Sequence, residues 1–143
     1  MNLAFDMFKW LAALFGGRER IKIVEFGTVK DERGRRFRVI VANAGSNDLY
    51  LRRPLLRQGT YQESKFVALG ERAPLRPGAA CEFEPDHWGP DDFTTVHDPN
   101  PLELVFRSNT RVLKKLRDRK VRDAFRQHVY LCRLEAGETF VEY

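Results

Sequence analysis

The chain has 143 residues, of which 43% are hydrophobic and 31% are charged, and its formal net charge is +5. This composition is typical of one soluble globular domain and excludes a disordered chain. Residues 111–126 hold eight basic and two acidic residues, a net charge of +6, so the rest of the chain carries the difference, −1. The protein therefore has one basic segment, which concentrates any attraction for phosphates or acidic surfaces.

Residues 1–17 are predicted to form a hydrophobic helix that ends at the glycine pair 16–17. Asn2, Asp6, Lys9 and Ala13 share one narrow stripe, and apolar residues cover about 220° of the circumference. These apolar residues are Leu3, Phe5, Met7, Phe8, Trp10, Leu11, Leu14 and Phe15. An arc this wide has to be buried, and we predict that it docks on a larger protein partner or on a second copy of the chain.

Two alternatives for this helix are that it packs on its own sheet or that it lies on a membrane surface. The apolar run would extend only ~20 Å as a helix, against a hydrocarbon core of ~30 Å, so it is too short to span a bilayer. No basic residue precedes Lys9, so the run also lacks the start of a signal peptide. We predict a cytoplasmic protein, with membrane attachment through this helix, and Arg18, Arg20 and Lys22 at the headgroups, as the alternative.

Residues 18–143 are predicted to form a single, mostly β domain. Alternating apolar residues predict strands at 21–29 and 35–42, and the turn at 31–34 joins them into a hairpin. A turn at 43–48 leads into 49–53, where Pro54 indicates a strand end or an edge position. Further strands are predicted at 64–69, 81–84, 93–96 and 102–107.

Two turn motifs carry a resemblance to a known fold. One is the run from Val39 to Gly45, followed by a polar turn and then Leu49 and Leu51; the other is Leu75-Arg76-Pro77-Gly78 followed by Glu82 and Phe83. This part of the chain, about residues 21–107, resembles small immunoglobulin-like β-sandwich modules of bacteria. The resemblance implies an antiparallel β-sandwich scaffold and implies no catalytic activity.

The segment 110–129 is helical by composition, but its apolar residues do not stay on one face. Either two short helical pieces meet near Asp118 and Arg119, or part of the segment is a strand. Residues 129–133 and 139–143 are predicted to form a closing hairpin.

The basic segment is the second candidate binding site, here for nucleic acid or an acidic partner. Its cations are Arg111, Lys114, Lys115, Arg117, Arg119, Lys120, Arg122 and Arg126. The structural alternative is a solvated face whose Lys and Arg stems cover apolar surface. A smaller cluster, Arg52, Arg53 and Arg57, is best explained as a charged edge strand.

Outside these two candidate binding sites, few residues suggest catalysis or metal binding. The loop 86–98 holds Asp86, His87, Asp91, Asp92, His97 and Asp98, but in an order that matches no metal-ligand spacing. Cys81 and Cys132 lie far apart with no histidine partner evident in the sequence, and we interpret both as buried, inert thiols. Because no motif of nucleophilic or nucleotide chemistry is present, we predict a non-enzymatic protein without a cofactor, metal or small-molecule substrate.

Overall fold

The computed structural model of the protein describes residues 19–64, 66–70, 74–86 and 100–137. Within these ranges the chain forms eight strands and one helix, so the predicted mostly-β fold is confirmed. The strands are β1 Ile21–Asp31, β2 Gly34–Asn43, β3 Leu55–Gln58, β4 Tyr61–Glu63, β5 Phe66–Leu69, β6 Ala80–Pro85, β7 Leu102–Arg107 and β8 Val112–Arg117, and the helix is α1 Asp118–Glu135. They build two antiparallel sheets, ordered β1-β2-β6-β5 and β4-β3-β7-β8, that share one core as in a β-sandwich.

The predicted hairpin is confirmed as β1 and β2, which pair from Ile21–Asn43 to Asp31–Gly34. Gly34 closes the turn with φ +94°, a backbone conformation that glycine adopts without steric cost. A bulge between Ile23 and Glu25 explains the partial alternation of β1. Val24 is the extra residue of this bulge, so Glu25 lies opposite Ile40. The Glu25 carboxylate lies 2.8 Å from the guanidinium of Arg38.

The core lies between the two sheets and is rich in phenylalanine. Its buried members are Phe37, Val39, Val41, Leu56, Phe66, Phe83, Leu102, Leu104, Phe106, Leu116, Val121 and Phe125. Phe37 is central, because its ring makes edge contacts with Phe26 at 5.1 Å and with Phe125 at 5.3 Å between centroids. Strand residues that alternate along β2 and β7 thus supply both walls of the core.

The outer face of the first sheet carries ion pairs at its centre. Arg36 on β2 lies 2.7 Å from Asp31 and 3.3 Å from Glu82, and its side chain is only 14% exposed. Hydrogen bonding to the Arg36 guanidinium lowers the pKa of Asp31. Together with the pair between Arg38 and Glu25, these contacts make this face polar without leaving its charges isolated.

The segment 49–58 differs from the prediction. Residues 49–53 form no regular strand; Leu49 bridges to Leu75 and Leu51 bridges to Ser108, and β3 begins only after Pro54. The strand predicted at 49–53 is therefore wrong: these residues form only isolated bridges, and the regular strand begins just after Pro54, which has no N–H to donate to a ladder. Leu55 and Val105 pair on the outer face of the second sheet, where they are 9% and 0% exposed.

The C-terminal prediction needs two corrections. The segment 110–129 is not one helix: its first part is strand β8, paired with β7, and α1 begins at Asp118, the junction that the sequence pattern left open. Residues 129–133 lie inside α1, so the predicted closing hairpin is wrong, and residues 139–143 lie outside the described ranges. Val121, Phe125 and His128 recur at helical spacing and are buried. Their packing against the sheets therefore stabilises a helix here rather than a strand.

The other predicted strands divide between described and undescribed ranges. The strands at 64–69, 81–84 and 102–107 are confirmed as β5, β6 and β7. The predicted strand at 93–96 and the predicted N-terminal helix, residues 1–17, lie outside the described residues.

Candidate functional site

The basic segment is divided between a strand and a helix, which places its cations on two elements. β8 is an edge strand of the second sheet in the described part of the chain, since it pairs there with β7 alone. Leu116 points into the core from β8, so Lys115 and Arg117 lie on the opposite, outer face. α1 continues from Arg117 without a loop, so the cations of the two elements follow one another along the chain, with Lys114 on the face of Leu116 and Arg117 on the opposite face.

Three of the eight cations of the segment contact other described residues. Arg111 donates to the carbonyl oxygen of Glu19 at 2.7 Å, Lys115 lies 3.9 Å from Glu103, and Arg122 lies 2.9 Å from Asp118. Asp118 also accepts a 2.7 Å hydrogen bond from the N–H of Leu102. Both contacts lower the pKa of Asp118. The hydrogen bond from Leu102 connects the start of α1 to β7.

The remaining five cations are exposed and form no ion pair or side-chain hydrogen bond with a described residue. We call these five the basic surface: Lys114, Arg117, Arg119, Lys120 and Arg126. On α1, Arg119, Lys120 and Arg126 lie away from the buried Val121 and Phe125. Exposed cations that form no ion pair with a described carboxylate can bind the phosphates or carboxylates of a partner.

The structural alternative for the basic surface has specific support on β8. Lysine and arginine on an edge strand prevent another sheet from pairing with it. Asp123 is exposed on the same part of α1 and lies one helical turn from Arg119, which reduces the positive potential there. The surface is therefore cationic but mixed, which favours contacts with charge rather than with a specific base sequence.

The small arginine cluster predicted at 52–57 is split. Arg57 lies on β3 beside Glu103, with 3.6 Å between guanidinium and carboxylate. β3 is an inner strand between β4 and β7, so the interpretation of Arg57 as part of an edge strand is wrong. Arg52 and Arg53 are exposed and line a cleft instead, together with Arg107.

Sequence reasoning missed a contact between His128 and Cys132 on consecutive turns of α1. Cys132 Sγ lies 3.5 Å from His128 Nε2, and His128 Nδ1 lies 3.0 Å from the hydroxyl of Thr28 on β1. An i, i+4 spacing on a helix identifies such a pair, but the predicted hairpin at 129–133 concealed it.

The protonation states of this pair argue against a nucleophilic role. Burial lowers the pKa of His128 to about 4, and burial also raises the pKa of the Cys132 thiol. At neutral pH both groups are uncharged, whereas a catalytic cysteine needs its thiolate. Cys81 is similar, because burial raises its pKa to about 11, and both cysteines are free. Both cysteines are partly buried rather than fully buried, and their raised pKa values agree with the predicted low reactivity.

Two candidate regions of the sequence fall on residues that the structure does not describe. The apolar arc, residues 3–15, lies outside the described ranges, as does the loop from His87 to Asp98. Among the described residues no group of three histidine, cysteine or acidic side chains is arranged to hold a metal ion. None of the helices in those same ranges is long and apolar enough to cross a membrane.

Comparison of the chain with protein-family models, curated proteins and solved structures found no match. Its function therefore has to be inferred from its own residues.

Proposed function

We propose that this protein is a non-enzymatic interaction module, a β-sandwich of immunoglobulin-like type that docks on a larger protein partner or on a second copy of itself through residues 3–15. The observation that supports this proposal is that the two described sheets and α1 share one core of buried side chains. The inner faces of both sheets are buried, and α1 packs its own buried side chains against them.

The two described outer faces differ in the surface that they offer to the apolar arc within the same domain. Ion pairs around Arg36 and Arg38 occupy the centre of one outer face, where an apolar helix would strip water from charges. On the other sheet, Leu55 and Val105 form a buried apolar pair on the outer face. Two apolar side chains can cover only part of an arc that holds eight large apolar side chains. Most of the arc therefore needs the surface of a partner or of a second copy of the chain.

Deletion of residues 1–17 tests this proposal. We expect the shortened protein to remain folded and monomeric, as measured by circular dichroism and light scattering, and to lose the association that the full chain shows. Leu11→Lys on the apolar arc should weaken the association, and the matched Ala13→Lys on the polar stripe should not. An unfolded deletion product would instead identify the segment as part of the core. Flotation of the full chain with phosphatidylserine vesicles would identify a membrane surface as its target.

We propose binding of nucleic acid as a second candidate function, because the basic surface holds five exposed cations without an ion partner among the described residues. Each phosphate contact releases counterions, so binding weakens as salt is added. Five such contacts on duplex DNA correspond to about 500-fold weaker binding at 200 mM than at 50 mM salt.

Measurement of DNA and RNA affinity against salt concentration tests this second function. The double variant Lys120→Ala with Arg126→Ala should bind more weakly and lower the slope of log affinity against log salt by about 1.8. The matched control is Lys22→Ala with Arg76→Ala, two exposed cations outside the basic surface. Equal binding by both double variants, or no binding at low salt, would contradict this role.

A further inference from the structure

A cleft of about 910 Å³ lies beside β5 and β6, on the side of the first sheet away from β1. The segment 49–53 forms one wall, held by the bridge from Leu49 to Leu75 and by the hydrogen bond from the Arg52 N–H to the Arg107 carbonyl oxygen, 2.9 Å. A volume of this size is in the range of small-molecule sites in proteins, about 300–1,000 Å³.

The floor of the cleft is apolar and its rim is cationic. Leu51, Ala68, Leu75 and Phe83 line the interior, and Arg52, Arg53 and Arg107 also line it. Arg52 and Arg53 are exposed and form no ion pair with a described residue. The Nε of Arg107 is buried and has no hydrogen-bond partner, which is costly for a guanidinium.

The acidic residue of the described lining does not neutralise these arginines. Glu82 belongs to β6, and its carboxylate lies 3.3 Å from Arg36 on the outer face of the sheet. Three arginines thus line the cleft without a carboxylate partner among the described residues, beside an apolar floor. Guanidinium groups bind carboxylates through paired, charge-assisted hydrogen bonds, and the floor suits an aliphatic chain.

We propose that this cleft binds a small organic carboxylate with an aliphatic body, a fatty-acid-like anion. The carboxylate contacts the arginines at the rim, and the chain lies on the floor between the sheets. The described lining of the cleft shares no residue with the basic surface, so this site is a separate proposal from the binding of nucleic acid.

Isothermal titration with decanoate, below its micelle-forming concentration, tests the proposal on the full chain. We expect saturable binding of one decanoate per chain. Decyltrimethylammonium, which has the same chain with a positive head, should not bind, and inorganic phosphate should bind far more weakly. No saturable decanoate binding, equal binding of the ammonium compound, or equal binding of phosphate would each overturn the proposal.

Two double variants test whether the arginines at the rim of the cleft bind decanoate. Arg52→Ala with Arg53→Ala removes two exposed side chains, and we expect decanoate affinity to fall at least about tenfold. The control, Lys22→Ala with Arg76→Ala, removes two exposed cations that do not line the cleft and should leave the affinity unchanged. Unchanged affinity in the rim variant, with its circular dichroism spectrum intact, would overturn the assignment.

Discussion

Asn43, the last residue of β2, connects three separate pieces of backbone through its buried side chain. Its Nδ2 donates to the carbonyl oxygens of Asn47 at 2.8 Å and Leu75 at 2.7 Å, and its Oδ1 accepts from the Gly45 N–H at 2.9 Å. Its carbonyl oxygen accepts from the Gly78 N–H at 2.9 Å. The two turn motifs that carried the resemblance to sandwich modules therefore meet at this residue.

Asn43→Ala should lower the free energy of unfolding by about 2–3 kcal/mol, because it leaves buried backbone groups without partners. Urea denaturation measures this loss. Asp48→Ala, in the same turn but exposed, serves as the control and should change stability by less than about 0.5 kcal/mol. A loss of similar size in both variants would show that the turn as a whole matters and the Asn43 side chain does not.

At the scale of elements, α1 is held at both ends as well as along its buried face. Asp118 joins its first turn to the Leu102 N–H, and Glu135 in its last turn lies 2.7 Å from Arg35 on β2. The Arg35 guanidinium lowers the pKa of Glu135. Between these ends, Phe125 is fully buried against Phe37, so the helix is an integral part of the core.

Phe125→Ala should destabilise the protein by about 3–5 kcal/mol, the usual cost of removing a large buried aromatic ring. Thermal and urea unfolding followed by circular dichroism measure this effect. Gln127→Ala, an exposed position on the same helix, should stay within about 0.5 kcal/mol of the original chain. A loss below about 1 kcal/mol for Phe125→Ala would contradict the placement of α1 in the core.

At the scale of the whole molecule, His128 links folding to pH. It lies between α1 and β1, is 5% exposed, and faces Phe37, Thr28 and Cys132, with Arg35 and Glu135 nearby. Burial lowers its pKa to about 4, so the folded protein holds it neutral while the unfolded chain protonates it at about 6.5. The unfolded state therefore binds more protons between these two values.

We expect stability to fall as the pH drops from about 6.5 to about 4, by on the order of 2 kcal/mol once solvent screening is allowed for. The measurement is urea unfolding at a series of pH values. His128→Gln removes the titrating group and should flatten the slope over this interval. An unchanged slope in the variant would assign the pH dependence to other groups.

The features that the sequence determined by itself are those set by neighbouring residues. The β1–β2 hairpin was predictable because period-two alternation and a four-residue turn with Gly34 specify it locally. The strands β5, β6 and β7 followed from the same alternation, and the excess of cations at 111–126 is a property of composition alone.

Only the tertiary structure decided the features that depend on distant partners. Residues 112–117 have the composition of a helix, yet they form β8 because β7 offers a free edge and the core accepts Leu116. Three further features depend on segments that folding brings together. They are the start of β3 after Pro54, the contacts of His128 with Thr28 and Cys132, and the cleft lined by Arg52 and Arg107. Burial and pairing energies gained across the core exceed the weak local preferences of these residues, so the sequence pattern alone does not predict them.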